Sequence, residues 1–166
     1  DIPSFDFRKG KDCDKIIESK FFFSNESFDY LMTNKERREI LQNYILPHLK
    51  LVDAENVFDN TLVIHIRSGD IFGGWTHKNY AQPPLSYYKK IIEEVQPSDV
   101  LIITQSDKRN PCIEGLLSWD SNIKIQHSTL REDISAILKA RKLVIGFGTF
   151  GWMLSMLSDR IHNLYC

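Results

Sequence analysis

The chain has 166 residues, which is enough for one ordinary domain and too few for two well-developed ones. Its 21 Lys and Arg residues nearly balance 22 Asp and Glu residues, so we expect no nucleic-acid partner. The longest apolar runs fall far short of the roughly 20 residues that span a bilayer, which excludes a membrane span in this sequence. The three cysteines lack C-x-x-C spacing, so neither a zinc site nor a disulfide framework is expected.

The N-terminal part, residues 1–60, is predicted to be an irregular and helical segment that packs on a main domain of residues 61–166. Thr33, followed three residues later by a glutamate, has the form of a capping box and predicts the start of a helix. Apolar residues then recur on one helical face up to Ile45. Pro47 is expected to end this helix after about three turns.

In the main domain, short apolar strands alternate with amphipathic helices. The strands are predicted at Leu62–Ile66, Val100–Ile103, Ile123–Ile125, Leu143–Ile145 and Ile161–Tyr165. The helices between them are predicted at Leu85–Val95, Ile113–Trp119, Leu130–Arg141 and Phe150–Ser158. This alternation indicates βαβ units, and it predicts an α/β fold with a Rossmann-like parallel sheet of about five strands and helices on both faces.

Ligands of such sheets bind beyond the carboxyl ends of the strands. The loop after the first strand contains His65, Arg67, Gly69 and Asp70. His65 and Arg67 are two residues apart, so their side chains point to the same side of the strand. The planar guanidinium suits phosphate oxygens, Gly69 lets the backbone turn, and Asp70 is placed to brace the arginine. The alternative is a structural ion pair at the end of a strand.

The loop after the fourth strand reads GFGTFGW over residues 146–152. Gly148 and Thr149 place a small residue, a hydroxyl and backbone N–H groups at the start of a helix, which is a ready anion site. The same letters match the G-x-G-x-x-G dinucleotide fingerprint. That fingerprint normally opens a domain and expects an acidic residue about 20 positions later, so NAD binding is the minor alternative. A P-loop ATPase is excluded because its motif does not occur.

Two further loops carry polar side chains. Ser106 and Asp107 follow the second strand, where they either contact a ligand hydroxyl or cap a turn. His77 lies in a glycine-containing loop after the first strand. It is either a base or sugar contact, or a solvated loop histidine.

Three segments, taken in order, resemble the motifs of the fucosyltransferase superfamily, which includes the α-1,2-fucosyltransferases and the protein O-fucosyltransferases. They are VIHIRSGD at residues 63–70, QSD at residues 105–107 and VIGFGTFGW at residues 144–152. The H-x-R-x-G-D element is the most specific of them. The match covers roughly residues 60–160 and resembles the nucleotide-sugar-binding half of a two-domain GT-B glycosyltransferase.

The resemblance implies a GDP-fucose donor, a glycan or protein hydroxyl as acceptor, inversion at the anomeric carbon and no required metal or other cofactor. It implies that Arg67 binds the donor diphosphate and that His65 lies near the nucleotide. Thr149 and Phe150 correspond to a Ser/Thr-Phe pair that holds phosphate. Asp133 corresponds to an aspartate that reads guanine; the alternative for it is an ordinary charge in the first turn of a helix.

Such a reaction needs stabilisation of the negative charge that grows on the departing diphosphate. A fixed arginine and a helix N-terminus would stabilise that charge more in the transition state than in the ground state. We expect Arg67, Asp70 and His77 to act in catalysis. Asp70 and His77 are the candidates for the base that takes the proton from the acceptor hydroxyl.

A GT-B enzyme has a second domain of normal size, which residues 1–60 are too few to supply. The chain is therefore expected to be a fragment, a reduced enzyme, or a donor-binding domain without catalysis. If the chain is excised from a membrane-anchored protein, we expect it in the Golgi or ER lumen. If it is not, we expect it in the cytoplasm. Beside the glycosyltransferase, the alternatives are a non-catalytic nucleotide- or glycan-binding domain and, less favoured, an NAD-type oxidoreductase fragment.

Overall fold

The computed structural model describes residues 33–54, 57, 59–73, 81–107, 109–126 and 128–166. Its centre is a sheet of five parallel strands: β1 Thr61–Ile66, β2 Asp99–Thr104, β3 Ile123–Gln126, β4 Lys142–Ile145 and β5 Asn163–Tyr165. The helices are α1 Asn34–Ile40, α2 Leu85–Val95, α3 Pro111–Trp119, α4 Leu130–Lys139 and α5 Thr149–Leu157.

Helices cover both faces of the sheet. Leu62 and Ile64 of β1 point to the face on which α2 and α3 pack. Val63 points to the opposite face, where its neighbours come from α4 and α5. Because both faces are buried, the central strands are continuous apolar runs, which is why they could be recognised in the sequence. The predicted α/β, Rossmann-like parallel sheet is confirmed.

The strand order is β3-β2-β1-β4-β5. The chain proceeds from β1 outward to β2 and β3, and it then crosses back to β4 on the other side of β1. β1 and β4 are therefore hydrogen-bonded neighbours whose connections lead to opposite halves of the sheet. This is a topological switch point, the place where doubly wound folds bind ligands.

Two helices begin where the capping boxes predict. The Thr33 hydroxyl accepts a hydrogen bond from the Glu36 N–H, and the Glu36 carboxylate accepts one from the Thr33 N–H. Thr129 and Glu132 form the same reciprocal pair at the start of α4. Each pair satisfies two backbone N–H groups that a helix start leaves without an intrahelical partner.

Two boundaries differ from the predictions. The helical path does not end at Pro47, because α1 continues as a π-helical turn, Leu41–Ile45, and a 3-10 turn, Leu46–His48. Pro47 is tolerated near the start of that last turn, where its missing N–H has no partner to lose. Arg141 lies beyond α4 rather than on its apolar stripe, because the backbone becomes extended at Ala140.

The predicted boundary at residue 61 stays a prediction. Of residues 1–60 the structure describes 33–54, 57, 59 and 60. In this part, Leu41, Leu46 and Leu49 pack against the core beneath α4 and α5. No helix within the described ranges is both long and apolar enough to cross a membrane.

Candidate functional site

The loop after β1 and the start of α5 meet at the switch point. His65 of β1 pairs with Ile145 of β4, so the two strands end at nearly the same level. The centroid of the His65 ring lies 5.2 Å from the centroid of the Phe150 ring. A Cβ built on Gly151 would lie 3.3 Å from His65 Nδ1, so α5 approaches β1 closely. The two glycine-containing motifs therefore lie at adjacent strand ends.

The start of α5 has a backbone conformation suited to an anion. Gly148, the residue before the helix, has φ 137° and ψ 161°, a region that is essentially restricted to glycine. Gly148 has no side chain with which to cap the N–H groups of the first helical turn, those of Phe150 and Gly151. These N–H groups lie at the positive end of the helix dipole, where phosphate groups bind in many proteins.

Arg67 and Asp70 form an ion pair at the surface of the β1 loop. Arg67 Nη2 lies 3.3 Å from both carboxylate oxygens of Asp70. The Arg67 side chain is 35% exposed and the Asp70 side chain 74% exposed. An ion pair this exposed contributes at most about 1 kcal/mol, so a phosphate group would compete for the guanidinium at little cost. The ion pair is thus compatible with anion binding by Arg67.

The loop after β2 holds the β1 loop in place. The Ser68 N–H donates to Gln105 Oε1 over 3.2 Å, and the Gly69 N–H donates to Asp107 Oδ1 over 3.0 Å. The Asp107 carboxylate also accepts a hydrogen bond from the Arg109 N–H. A hydrogen bond from the Ser68 hydroxyl is the main cause of the lowered pKa of Asp107. These hydrogen bonds are those of a turn cap, and contact of Asp107 with a ligand hydroxyl stays a prediction.

Ser106 and Asp133 are not part of the contact between His65 and Phe150. Ser106 is exposed in the turn after β2. Asp133 is half-buried in the first turn of α4, and its Oδ1 accepts hydrogen bonds from Gln126 Nε2 over 3.0 Å and Ser128 Oγ over 3.1 Å. Its partner Gln126 ends β3, which lies two strand spacings, or roughly 10 Å, from β1. His77 lies outside the described residues.

His65 is uncharged at neutral pH. Burial, followed by the positive charge of Arg67, lowers the pKa of His65 to about 4. A neutral imidazole offers one N–H donor and one acceptor nitrogen. His65 is therefore suited to orient a polar ligand group by hydrogen bonding, and it is a weak base at pH 7.

Sequence reasoning missed Arg109 and Asn110, and it quoted Gln105 in the QSD motif without giving it a role. Gln105 and Asn110 hydrogen-bond the β1 loop, and Arg109 places its Nε 3.4 Å from Asp107 Oδ2. Asn110 followed by proline is a recognisable helix start, because asparagine caps and proline suits the first helical position. That signal locates α3, but it carries no information on which loop lies beside the cap.

Known proteins add no family assignment to these observations. Neither protein-family models nor curated proteins give a match to the chain.

Among the described residues, no group of three or more His, Cys, Asp or Glu side chains is placed to hold a metal ion. Two clefts of about 530 and 380 Å³ are lined by none of the predicted site residues. The candidate site therefore rests on the chemistry of the strand-end loops.

Proposed function

We propose that the chain is the donor-binding domain of a sugar-nucleotide-dependent glycosyltransferase, with GDP-fucose as donor and a glycan or protein hydroxyl as acceptor. The supporting observation is the contact of His65 with Phe150, which brings the Arg67 loop and the start of α5 to one switch point. A guanidinium and a helix N-terminus both bind phosphate oxygens, so two such groups side by side suit a diphosphate.

In the proposed reaction the acceptor oxygen attacks the anomeric carbon from the face opposite the diphosphate. The bond from that carbon to the diphosphate oxygen breaks, and its electron pair leaves with GDP, so the configuration inverts. Arg67 and the first N–H groups of α5 stabilise the charge that grows on the leaving group. The acceptor proton passes to a base, for which Asp70 and His77 are the candidates.

A second candidate, a dinucleotide-binding domain, has one observation in its favour. Gly148 has the conformation that only glycine adopts readily, and Gly151 allows close packing of a helix on the sheet. These are two of the roles of the glycines in the dinucleotide fingerprint. The position of the motif after β4, rather than after β1 where that fingerprint belongs, favours the glycosyltransferase.

Calorimetric titration with GDP, GDP-fucose, UDP and NADH distinguishes these functions. We expect GDP and GDP-fucose to bind more tightly than UDP and NADH. Tight NADH binding without a response to GDP would overturn the proposal in favour of the dinucleotide candidate. Release of GDP from GDP-fucose in a hydrolysis assay then separates a transferase from a non-catalytic binding domain.

The first prediction concerns Arg67→Lys. This variant keeps the positive charge but loses the planar set of donors, so we expect the GDP dissociation constant to rise about tenfold. Arg160→Lys is the matched control, because Arg160 follows α5 at the opposite edge of the sheet and pairs with Asp59. Equal GDP affinity of Arg67→Lys and the wild type would remove Arg67 from the site.

A further inference from the structure

Asn110 connects the start of α3 to the Arg67 loop through three hydrogen bonds. Its backbone N–H donates to Ser68 Oγ, its Nδ2 donates to the Arg67 carbonyl oxygen, and its Oδ1 accepts from the Cys112 N–H, each over 3.0 Å. Only 1% of Asn110 is exposed. Both ends of the side-chain amide are thus used within the protein, and the amide is shielded from any ligand.

The other two anchors of this loop are more exposed to water than Asn110. Gln105 and Asp107 are exposed, so water competes for their hydrogen bonds to the Ser68 and Gly69 N–H groups. Asn110 is buried, where a hydrogen bond is stronger and the loss of one partner leaves a desolvated polar group. The hydrogen bond from the Asn110 N–H also occupies an acceptor site on Ser68 Oγ, which leaves its hydroxyl to donate to Asp107.

We propose that Asn110 is the positioning residue for Arg67. By holding the Arg67 carbonyl oxygen, Asn110 sets the direction in which the chain leaves β1, and so the direction in which the guanidinium extends. The consequence for anion binding rests on the proposed function, whereas the effect on Arg67 itself does not. Asn110 acts through Arg67 and touches no reacting group.

Two variants separate this role from helix capping. Asn110→Ser retains an oxygen that caps the Cys112 N–H but is too short to reach the Arg67 carbonyl. Asn110→Asp retains the capping oxygen and replaces the amide N–H with an oxygen that faces the Arg67 carbonyl oxygen. The control is Ser158→Ala, because Ser158 is 2% exposed and its hydroxyl donates to the Leu138 carbonyl at the far edge of the sheet.

Nitrogen-15 relaxation of the Arg67 amide and Nε in the ligand-free protein measures the positioning directly. We expect the order parameters of Arg67 to fall in both Asn110 variants and to stay unchanged in Ser158→Ala. We also expect the GDP dissociation constant to rise about tenfold in both Asn110 variants and to stay unchanged in the control. Asn110→Ser decides the question if Asn110→Asp does not fold.

Unchanged Arg67 order parameters in Asn110→Ser would overturn the inference. An equal loss of affinity in Ser158→Ala would overturn it as well, because the effect on binding would then not pass through Arg67. A loss of Arg67 order with unchanged GDP affinity would support the positioning role and overturn the proposed part of Arg67 in GDP binding. If the wild type binds neither GDP nor inorganic pyrophosphate, the proposed function fails. The relaxation data alone then test the positioning role of Asn110, and a loss of Arg67 order supports it.

Discussion

The side chain of His65 lies where β1 contacts the first turn of α5, so its protonation state affects both the sheet and the candidate site. The pKa of His65 falls from 6.5 to about 4 on folding, chiefly because the imidazole is buried. As the pH drops from 6.5, the unfolded chain gains a proton that the folded chain does not accept until about pH 4. Folding stability is therefore lost through this window.

We predict that this loss is specific to the imidazole. Between about pH 7 and pH 4, the free energy of unfolding of the wild type should fall by about 3 kcal/mol more than that of His65→Gln. Urea unfolding of both proteins at the two pH values measures the difference, and contributions of other titrating groups cancel. A wild type and a variant with the same pH dependence would show that His65 is not buried as a neutral base.

At the scale of the elements, α5 packs closely on β4 at Gly151. A Cβ on Gly151 would lie 2.9 Å from Cγ2 of Ile145, which is 3% exposed and β-branched, so it has little room to move. Gly115 in α3 differs because its nearest neighbouring side chain can move. A Cβ there would lie 2.7 Å from Cδ2 of Leu85, the far end of a flexible and half-buried side chain. Of these two helical glycines, Gly151 is the one at which the surrounding structure requires glycine.

The two helical glycines should therefore respond differently to alanine. Both substitutions gain helix propensity of up to about 1 kcal/mol. At Gly151 the overpacking, which costs about 1–3 kcal/mol, outweighs this gain, so Gly151→Ala should be destabilised. Gly115→Ala should be as stable as the wild type or more stable, because Leu85 can rotate. Urea unfolding compares them, and equal stabilities would contradict the packing argument.

At the scale of the whole molecule, the winding of the sheet arranges the polar groups along one edge. The diphosphate contacts that we propose lie between β1 and β4, whereas Asp133 lies in the first turn of α4 beside Gln126, the last residue of β3. α4 and α5 pack on the same face of the sheet, so the Asp133 carboxylate and the α5 N-terminus lie on the same side. A separation of roughly 10 Å between strand ends suits a nucleoside that extends from the diphosphate toward Asp133.

Asp133→Asn tests this placement. Guanine presents two kinds of N–H donor to a carboxylate and adenine does not, so we expect the ratio of GDP to ADP affinity to fall about tenfold. Calorimetry with both nucleotides measures the ratio. Asp120→Asn is the control, because Asp120 caps a turn before β3, where it accepts from the Asn122 N–H over 2.9 Å. An unchanged ratio would make Asp133 an ordinary first-turn charge.

Most of the fold could be predicted, because the signals for it come from residues that are close together in the sequence. Strands β1 to β5 and helices α2 to α5 coincide with apolar runs or stripes in the sequence, within a few residues. The helix starts at Thr33 and Thr129 follow from hydrogen bonds between residues three apart. The predictions at Pro47 and Arg141 were wrong. The signal at Pro47 also permits a tighter, 3-10 turn, and the signal at Arg141 also permits an extended chain.

The strands, the helices and the motifs at their ends can be read from the amino-acid sequence, because periodicity, capping and turn chemistry involve neighbouring residues. The pairing of β1 with β4, the contact of His65 with Phe150 and the hydrogen bond from Asn110 to the Arg67 carbonyl emerge only when the chain is folded. Asn110 and Arg67 are 43 residues apart in the chain. Contacts over such distances depend on how all the elements pack together, and no local pattern specifies them.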